Sequence, residues 1–289
     1  MQQSHKEPFR SIEEISHLFL SGTLDDPPSG STVKDSCELT DGGKRVIPRY
    51  ARPELLDEPP STSLTRNSFF FCSSDTLRPA RTLITAHLGL ELARRGFRVA
   101  AVETSHQSPN LMELLPYRGG AGTAENFTFG FWDSEGGLGD ALNMFTALYR
   151  EADIIVVNST PDVTGIESFV WLLNPFYVIL TTPTRSDLLT AYQSLKRVSC
   201  SSPSERMGLL IAGDPHSDTT GPAFRVVSGM VQKFLSRDLI FVGNLPERLN
   251  ILATMHDPSA LSAAVRDPES SSHMVKLADM LVARSGALR

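Results

Sequence analysis

The sequence predicts an α/β domain of three layers, with helices on both faces of a mostly parallel central sheet. Three observations carry this. From about residue 66 onward, apolar runs of strand length alternate with helical patterns, as in successive βαβ units. Several of those runs are almost continuously apolar, which is how a strand reads when both its faces are buried. The chain has 289 residues, 40% of them apolar and 21% charged, enough for one large domain with a full core.

The elements follow in order. Residues 1–65 read as a flexible arm, because "GTLDDPPSGSTVKDSCELTDGGKRVIPRYARPELLDEPPSTS" is rich in Pro, Gly, Ser and Asp. Within the arm, "RSIEEISHLFLSG" predicts a short amphipathic helix near 11–22. Ser11 and Glu14 fit a capping box, Ile12, Ile15, Leu18 and Phe19 share one face, and Gly22 supplies a stop. So short a helix is marginal alone in water, so its apolar face calls for a partner: its own domain or a groove on another protein. Its polar face lacks the Lys/Arg enrichment of a membrane-surface helix, so membrane contact is at most peripheral.

The folded domain occupies 66–289. Its strands are predicted at 68–72, 97–103, 153–158, 176–182, 207–213 and 239–245. Its helices are predicted at 82–95, 139–150, 165–173, 186–198, 219–235 and 269–284. Ligands in such sheets sit at the carboxyl ends of the strands. These ends are Ser73–Thr82, Glu103–Pro109, Asn158–Gly165, Thr181–Asp187 and Gly213–Ser217.

Bulk chemistry narrows the function. The net charge of −6 gives no electrostatic footprint for nucleic acid, so no nucleic-acid partner is expected. Cys37, Cys72 and Cys200 lie far apart, without metal-ligand spacing, and read as reduced thiols of a cytoplasmic protein. No apolar run reaches membrane-spanning length, and "MQQSHKEPFR" lacks the apolar core of a signal peptide.

The segments "HLGLELARRGFRVAAVE", "ADIIVVNSTPD", "NPFYVILTTPTRSDLLTAYQSLKRV", "FVGNLPE" and "PSALSAAVRDPESSSHMVKLADML" come in a telling order. Over about residues 66–285 the chain resembles the MinD/ParA branch of the P-loop ATPases, most closely the flagellar-number regulators related to MinD. The resemblance implies the P-loop NTPase fold of MinD/ParA type. It also implies nucleotide-site positions, which are read here residue by residue.

Members of that family carry a glycine-rich loop ending in Gly-Lys-Thr, with a further lysine near its start. Aligned through "HLGLELA", the last lysine falls on Arg81 and the threonine on Thr82. The glycine before them becomes Ala80, the early lysine Thr76 and the first loop glycine Asp75, with Ser74 just ahead. The family's Asp-x-Asp after the second strand becomes Glu103 and Ser105, and its magnesium-linked Asp and following Thr become Asn158 and Ser159. A phosphate cradle needs successive N–H groups and a closely approaching backbone. Pro79 has no N–H, Asp75 brings negative charge, and Arg81 is no neutral replacement for lysine. Serine cannot stand for a carboxylate, and asparagine brings no charge to a metal. Losing one preorganised electrostatic element often costs about 10²–10³ in rate. The nucleotide positions therefore read as vestigial: no ATPase activity, no catalytic residues, no metal site and no cofactor are expected.

Other features have plainer readings. "RGGAG" (118–122) and "EGGLGD" (135–140) lack a following Lys-Ser/Thr and read as surface loops. Asp162 and Asp187 read as helix-start residues, Arg185 as a solvated arginine, and Trp132 and Trp171 as core or interface. Met274, Val275, Leu277, Ala278 and Leu281 give only a weak version of the membrane-targeting helix of MinD and read as a last packed helix.

The expected function is that of a non-catalytic or weakly nucleotide-binding MinD/ParA-like regulatory component. It would recruit another protein through its N-terminal helix, in positioning, flagellar or polysaccharide-export machinery. A homodimer is compatible with the resemblance. One alternative is a working switch in which ATP and Mg²⁺ control dimerisation through Arg81 and Thr82. Another is a relative of the capsule-export tyrosine autokinases, which "SPNLMELL" suggests but a tail without tyrosines does not support.

Overall fold

The structure is a computed structural model that describes residues 67–115, 126–132, 138–159, 175–201, 206–213, 219–245 and 268–285. The arm over 1–65, the helix expected at 165–173, the "RGGAG" loop, Asp162, Trp171 and Cys37 lie outside the described residues.

Among the described residues, seven strands make one sheet: β1 (Asn67–Ser73), β2 (Val99–Glu103), β3 (Phe127–Phe131), β4 (Ile154–Ser159), β5 (Phe176–Thr181), β6 (Met207–Ala212) and β7 (Leu239–Leu245). Their order across the sheet is β3-β2-β4-β1-β5-β6-β7, and every pairing is parallel. The helices are α1 (Arg78–Arg94), α2 (Leu111–Leu114), α3 (Leu138–Glu151), α4 (Arg185–Ser201), α5 (Thr220–Met230) and α6 (Pro268–Ser285). One π turn, Val231–Leu235, prolongs α5.

Continuous apolarity and double burial go together as expected. Phe69 and Phe71 of β1 point into a core shared with α1 and α6, while Phe70 points the other way, toward Phe145 and Leu148 of α3. A further core joins α4 and α5 to Ile179, Leu209 and Ile211. Helices thus cover both faces, giving the three layers. On α6, Met274, Leu277, Ala278, Leu281 and Val282 are all buried in the α1 core, so this helix is a packed part of the domain. Arg95 ties the two helices: Nε donates to Glu91 Oε1 (2.9 Å), Nη1 to Asp279 Oδ1 (2.6 Å) and Nη2 to the Val275 carbonyl (2.9 Å).

Three features depart from the pattern read in the sequence. The first helix begins at Arg78, four residues before the predicted start at 82, with Pro79 in its opening turn, where a missing N–H is harmless. The second strand begins at Val99; Gly96, at φ +91°, ends α1 and lets the chain turn back. The edge strand β3 was not anticipated. At the opposite edge, β7 carries a bulge against β6 between Leu209 and Leu210, with Gly243 at φ +135°.

The direction of winding reverses about β1, from β2 and β3 on one side to β5, β6 and β7 on the other. The carboxyl ends of β2, β4 and β1 therefore lie side by side at the switch point, where such sheets place their ligands. Among the described residues, no helix is long and apolar enough to cross a membrane.

Candidate functional site

The chain leaves β1 at Ser73 and makes one tight 3₁₀ turn, Asp75–Leu77, before α1 starts. Two amides close the turn: Leu77 N–H donates to the Ser74 carbonyl (3.1 Å), and Arg78 N–H to the Asp75 carbonyl. Ser74 and Thr76 share a hydroxyl hydrogen bond of 2.9 Å, and Arg78 closes on Asp75 at 3.0 Å. Asp75 and Thr76 are exposed at the rim. Ala80, Arg81 and Thr82 belong to the first turns of α1 and are buried.

Arg81 is fully enclosed, at 0% exposure. Its Nε donates to Asn158 Oδ1 at 2.7 Å, and its Nη1 reaches Ser73 Oγ at 3.4 Å. Asn158, at the end of β4, turns its Nδ2 toward Thr82 Oγ1 (3.0 Å) and Glu103 Oε2 (2.7 Å). Thr82 in turn donates to the Pro109 carbonyl at 3.2 Å. Glu103 ends β2 directly beside Asn158 in the strand register. Its Oε1 accepts from the amides of Thr104 (2.9 Å) and Ser105 (3.0 Å), and its Oε2 also accepts from Leu111 N–H (2.9 Å). One cation and one carboxylate are thus joined through an asparagine amide in the interior.

Burial dominates the electrostatics. It lowers the Arg81 pKa from its usual value, with Glu103 pulling it back up. Burial raises Glu103 above the usual glutamate range, against the opposing pull of Leu111 N–H, Asn158 and Arg81. Next to them burial pushes the Cys72 thiol up to about 11. Among the described residues, Arg81 Nη2 and Arg78 Nε are buried without a hydrogen-bond partner.

Of the positions expected from the sequence, the structure gathers Arg81, Thr82, Glu103 and Asn158 into one network, with Ser105 giving its amide. Ser74, Asp75 and Thr76 lie apart in the turn, and Ala80 packs in the core. Ile12, Ile15, Leu18 and Phe19 lie outside the described residues. Asp187 stands in the first turn of α4 and accepts from the Thr182 hydroxyl, Arg185 opens that helix, and Trp132 is buried. Sequence reasoning gave no role to Ser73 and Pro109, which only delimit strand-end segments it named, and missed Leu111. Two of these act through backbone atoms, which leave no mark in a sequence.

The sheet order and the crowded switch point can be set beside solved structures. The MinC:MinD cell division protein complex of Aquifex aeolicus superposes with a TM-score of 0.55 at 14% identity, covering 75% of this chain and 96% of that one. A ParA family ATPase from Chlorobium tepidum TLS gives 0.52 at 15% identity, covering 78% and 100%. The septum site-determining protein MinD of Pyrococcus horikoshii OT3, complexed with Mg-ADP, gives 0.51 at 16%, covering 73% and 94%. The chain has the MinD/ParA fold. No family model matches the sequence, and no curated protein matches it.

The MinD/ParA fold implies a nucleotide and magnesium at this switch point, and the residues present do not fit that pair. The Leu77 and Arg78 amides are spent on the Ser74 and Asp75 carbonyls, the chain after them winds into α1, and Pro79 has no N–H to give. Arg81, which the sequence reading set against the phosphate-binding lysine, has its guanidinium buried and bonded to Asn158. Glu103 already accepts four N–H groups, and Asn158 carries no charge for a metal.

Proposed function

We propose that this chain is a MinD/ParA-fold protein that has given up nucleotide turnover and works as a regulatory interaction component. The observation that carries the reading is the Arg81 guanidinium, buried and hydrogen-bonded to Asn158. A side chain committed in this way cannot also neutralise a triphosphate from the other side of the loop. Phosphoryl transfer depends mainly on positioning and charge stabilisation, so its loss removes the chemistry and leaves the scaffold.

What remains is surface. One structural neighbour is a MinD in complex with MinC, so this fold carries partner-binding faces. The proposed partner is a protein recruited by the predicted N-terminal helix, through Ile12, Ile15, Leu18 and Phe19. Positioning, flagellar or polysaccharide-export machinery is the proposed setting, in the cytoplasm, and a homodimer is a compatible assembly.

Two measurements test the reading. Calorimetric titration of the full-length chain with Mg·ATP is expected to give no binding tighter than about 100 µM. Tighter binding that disappears in Arg81→Ala would establish the ATP switch instead. Affinity capture with the full chain and with a chain lacking residues 1–22 is expected to lose the main partner on truncation. Equal recovery would move the partner site to the folded domain.

A further inference from the structure

We propose that Arg81, Asn158 and Glu103 form a built-in substitute for bound nucleotide, a hydrogen-bonded bridge that fixes α1 to the ends of β4 and β2 with no ligand present. The proposal rests on the nucleotide-free reading above and adds a cause for three substitutions that look unrelated in the sequence.

The three residues come from three elements and are remote in the chain: Arg81 and Asn158 are 77 positions apart, Asn158 and Glu103 55. In a working P-loop domain the phosphates and metal join the first helix to these strand ends. Here side chains join them. Arg81 and Glu103 are each 0% exposed and Asn158 1%, so no bulk water screens either charge. A charge buried so deeply is tolerated only with its partner present.

The geometry also makes the identities interdependent. Asn158 must present oxygen to a guanidinium N–H and nitrogen to a carboxylate, which only an amide does. Glu103 Oε2 lies 2.7 Å from the atom at position 158, so an aspartate there would set two carboxylates against each other. The glutamate at the end of β2 therefore requires a neutral residue at the end of β4. The loss of the family's metal-linked carboxylate is the counterpart of the acquired Arg81–Glu103 pair.

The test is a double-mutant cycle on the full-length chain by thermal unfolding, with and without millimolar Mg·ATP. Arg81→Met is expected to lower the midpoint by roughly 10 °C, because it leaves the buried Glu103 carboxylate without its cation, and Glu103→Gln by less, because an amide nitrogen cannot accept the N–H groups that one carboxylate oxygen holds. The double variant is expected to regain at least half of the summed loss, since it leaves no unpaired charge. Additive losses would overturn the bridge and leave the proposed function standing. A midpoint of the unmodified chain that rises with Mg·ATP would overturn the nucleotide-free reading, and the substitute with it. A third arm needs no variant to fold. In the unmodified chain the Ser105 and Leu111 amides, both bound to Glu103, are expected to exchange slowly with and without ATP; fast exchange in its absence would overturn the proposal. Asn158→Asp is expected to melt lower than the unmodified chain and to be rescued by adding Glu103→Gln. Failure of that rescue would also count against it.

Discussion

Arg81 Nε donates to Asn158 Oδ1 across 2.7 Å in the middle of the domain, linking the first helix to the end of a strand 77 residues away. Both ends of the Asn158 amide are used, toward a cation on one side and a carboxylate and a hydroxyl on the other. Asn158→Leu keeps most of the volume and removes every one of these bonds. The expected loss is about 3–5 kcal/mol, the scale of leaving a buried ion pair without its polar partner. Urea unfolding followed by circular dichroism measures it; a loss below about 1 kcal/mol would show that the three groups find other partners.

The raised pKa of Glu103 has a defined sign in solution. Burial raises it, and the Leu111 amide, Asn158 and Arg81 oppose without cancelling. The folded chain then holds this proton to higher pH than the unfolded chain, whose glutamate titrates near about 4.3. The contribution is full below the unfolded value and is lost as pH rises through the folded value. The melting temperature of the unmodified chain, relative to Glu103→Gln, is therefore expected to improve as pH is lowered from about 7 toward about 4.5. A relative melting temperature that falls over that range would contradict the assignment.

Two cysteines provide a chemical probe of the same core. Cys72 is buried at the end of β1 with its thiol pushed up to about 11, whereas Cys200 is exposed on α4. Alkylation needs the thiolate and access to it. Iodoacetamide at mildly alkaline pH is expected to label Cys200 in the native chain and Cys72 only after denaturant is added, as read by peptide mass mapping. Equal labelling of both would mean that the β1 end opens readily.

Leu281 tests the role of the last helix. It is fully buried in the core shared with α1. Leu281→Ala is expected to cost about 2–5 kcal/mol by denaturant unfolding, the range for truncating a buried leucine. The exposed neighbour Val275 offers the control: Val275→Ala is expected to cost under about 0.5 kcal/mol.

The sequence made the sheet legible because five strands, β1, β2, β4, β5 and β6, are buried on both faces and their apolar runs have few interruptions, while β7 keeps an apolar run at a half-buried edge. β3 escaped because "FTFGF" interrupts its phenylalanines with Thr and Gly and sits half-buried at an edge. The start of α1 escaped because alignment to a phosphate loop presumes loop conformation through position 81. The backbone instead winds into helix from Arg78, which Pro79 permits. The site was legible in its membership and illegible in its geometry. Arg81, Thr82, Glu103 and Asn158 could be named from the alignment. That the arginine turns inward depends on a carboxylate and an amide brought near it only by the strand order β2-β4-β1. An arginine read alone is far more often solvated than buried.

The bulge in β7 bears on assembly. An outermost strand with a regular, flat row of unpaired amides and carbonyls invites a strand from another molecule to add on. The register shift opposite Leu209 and Leu210, and the mirror-image backbone of Gly243, interrupt that row on this rim of the described sheet. Strand addition at the β7 rim is then disfavoured at its first step, and fibrillar growth from that rim with it.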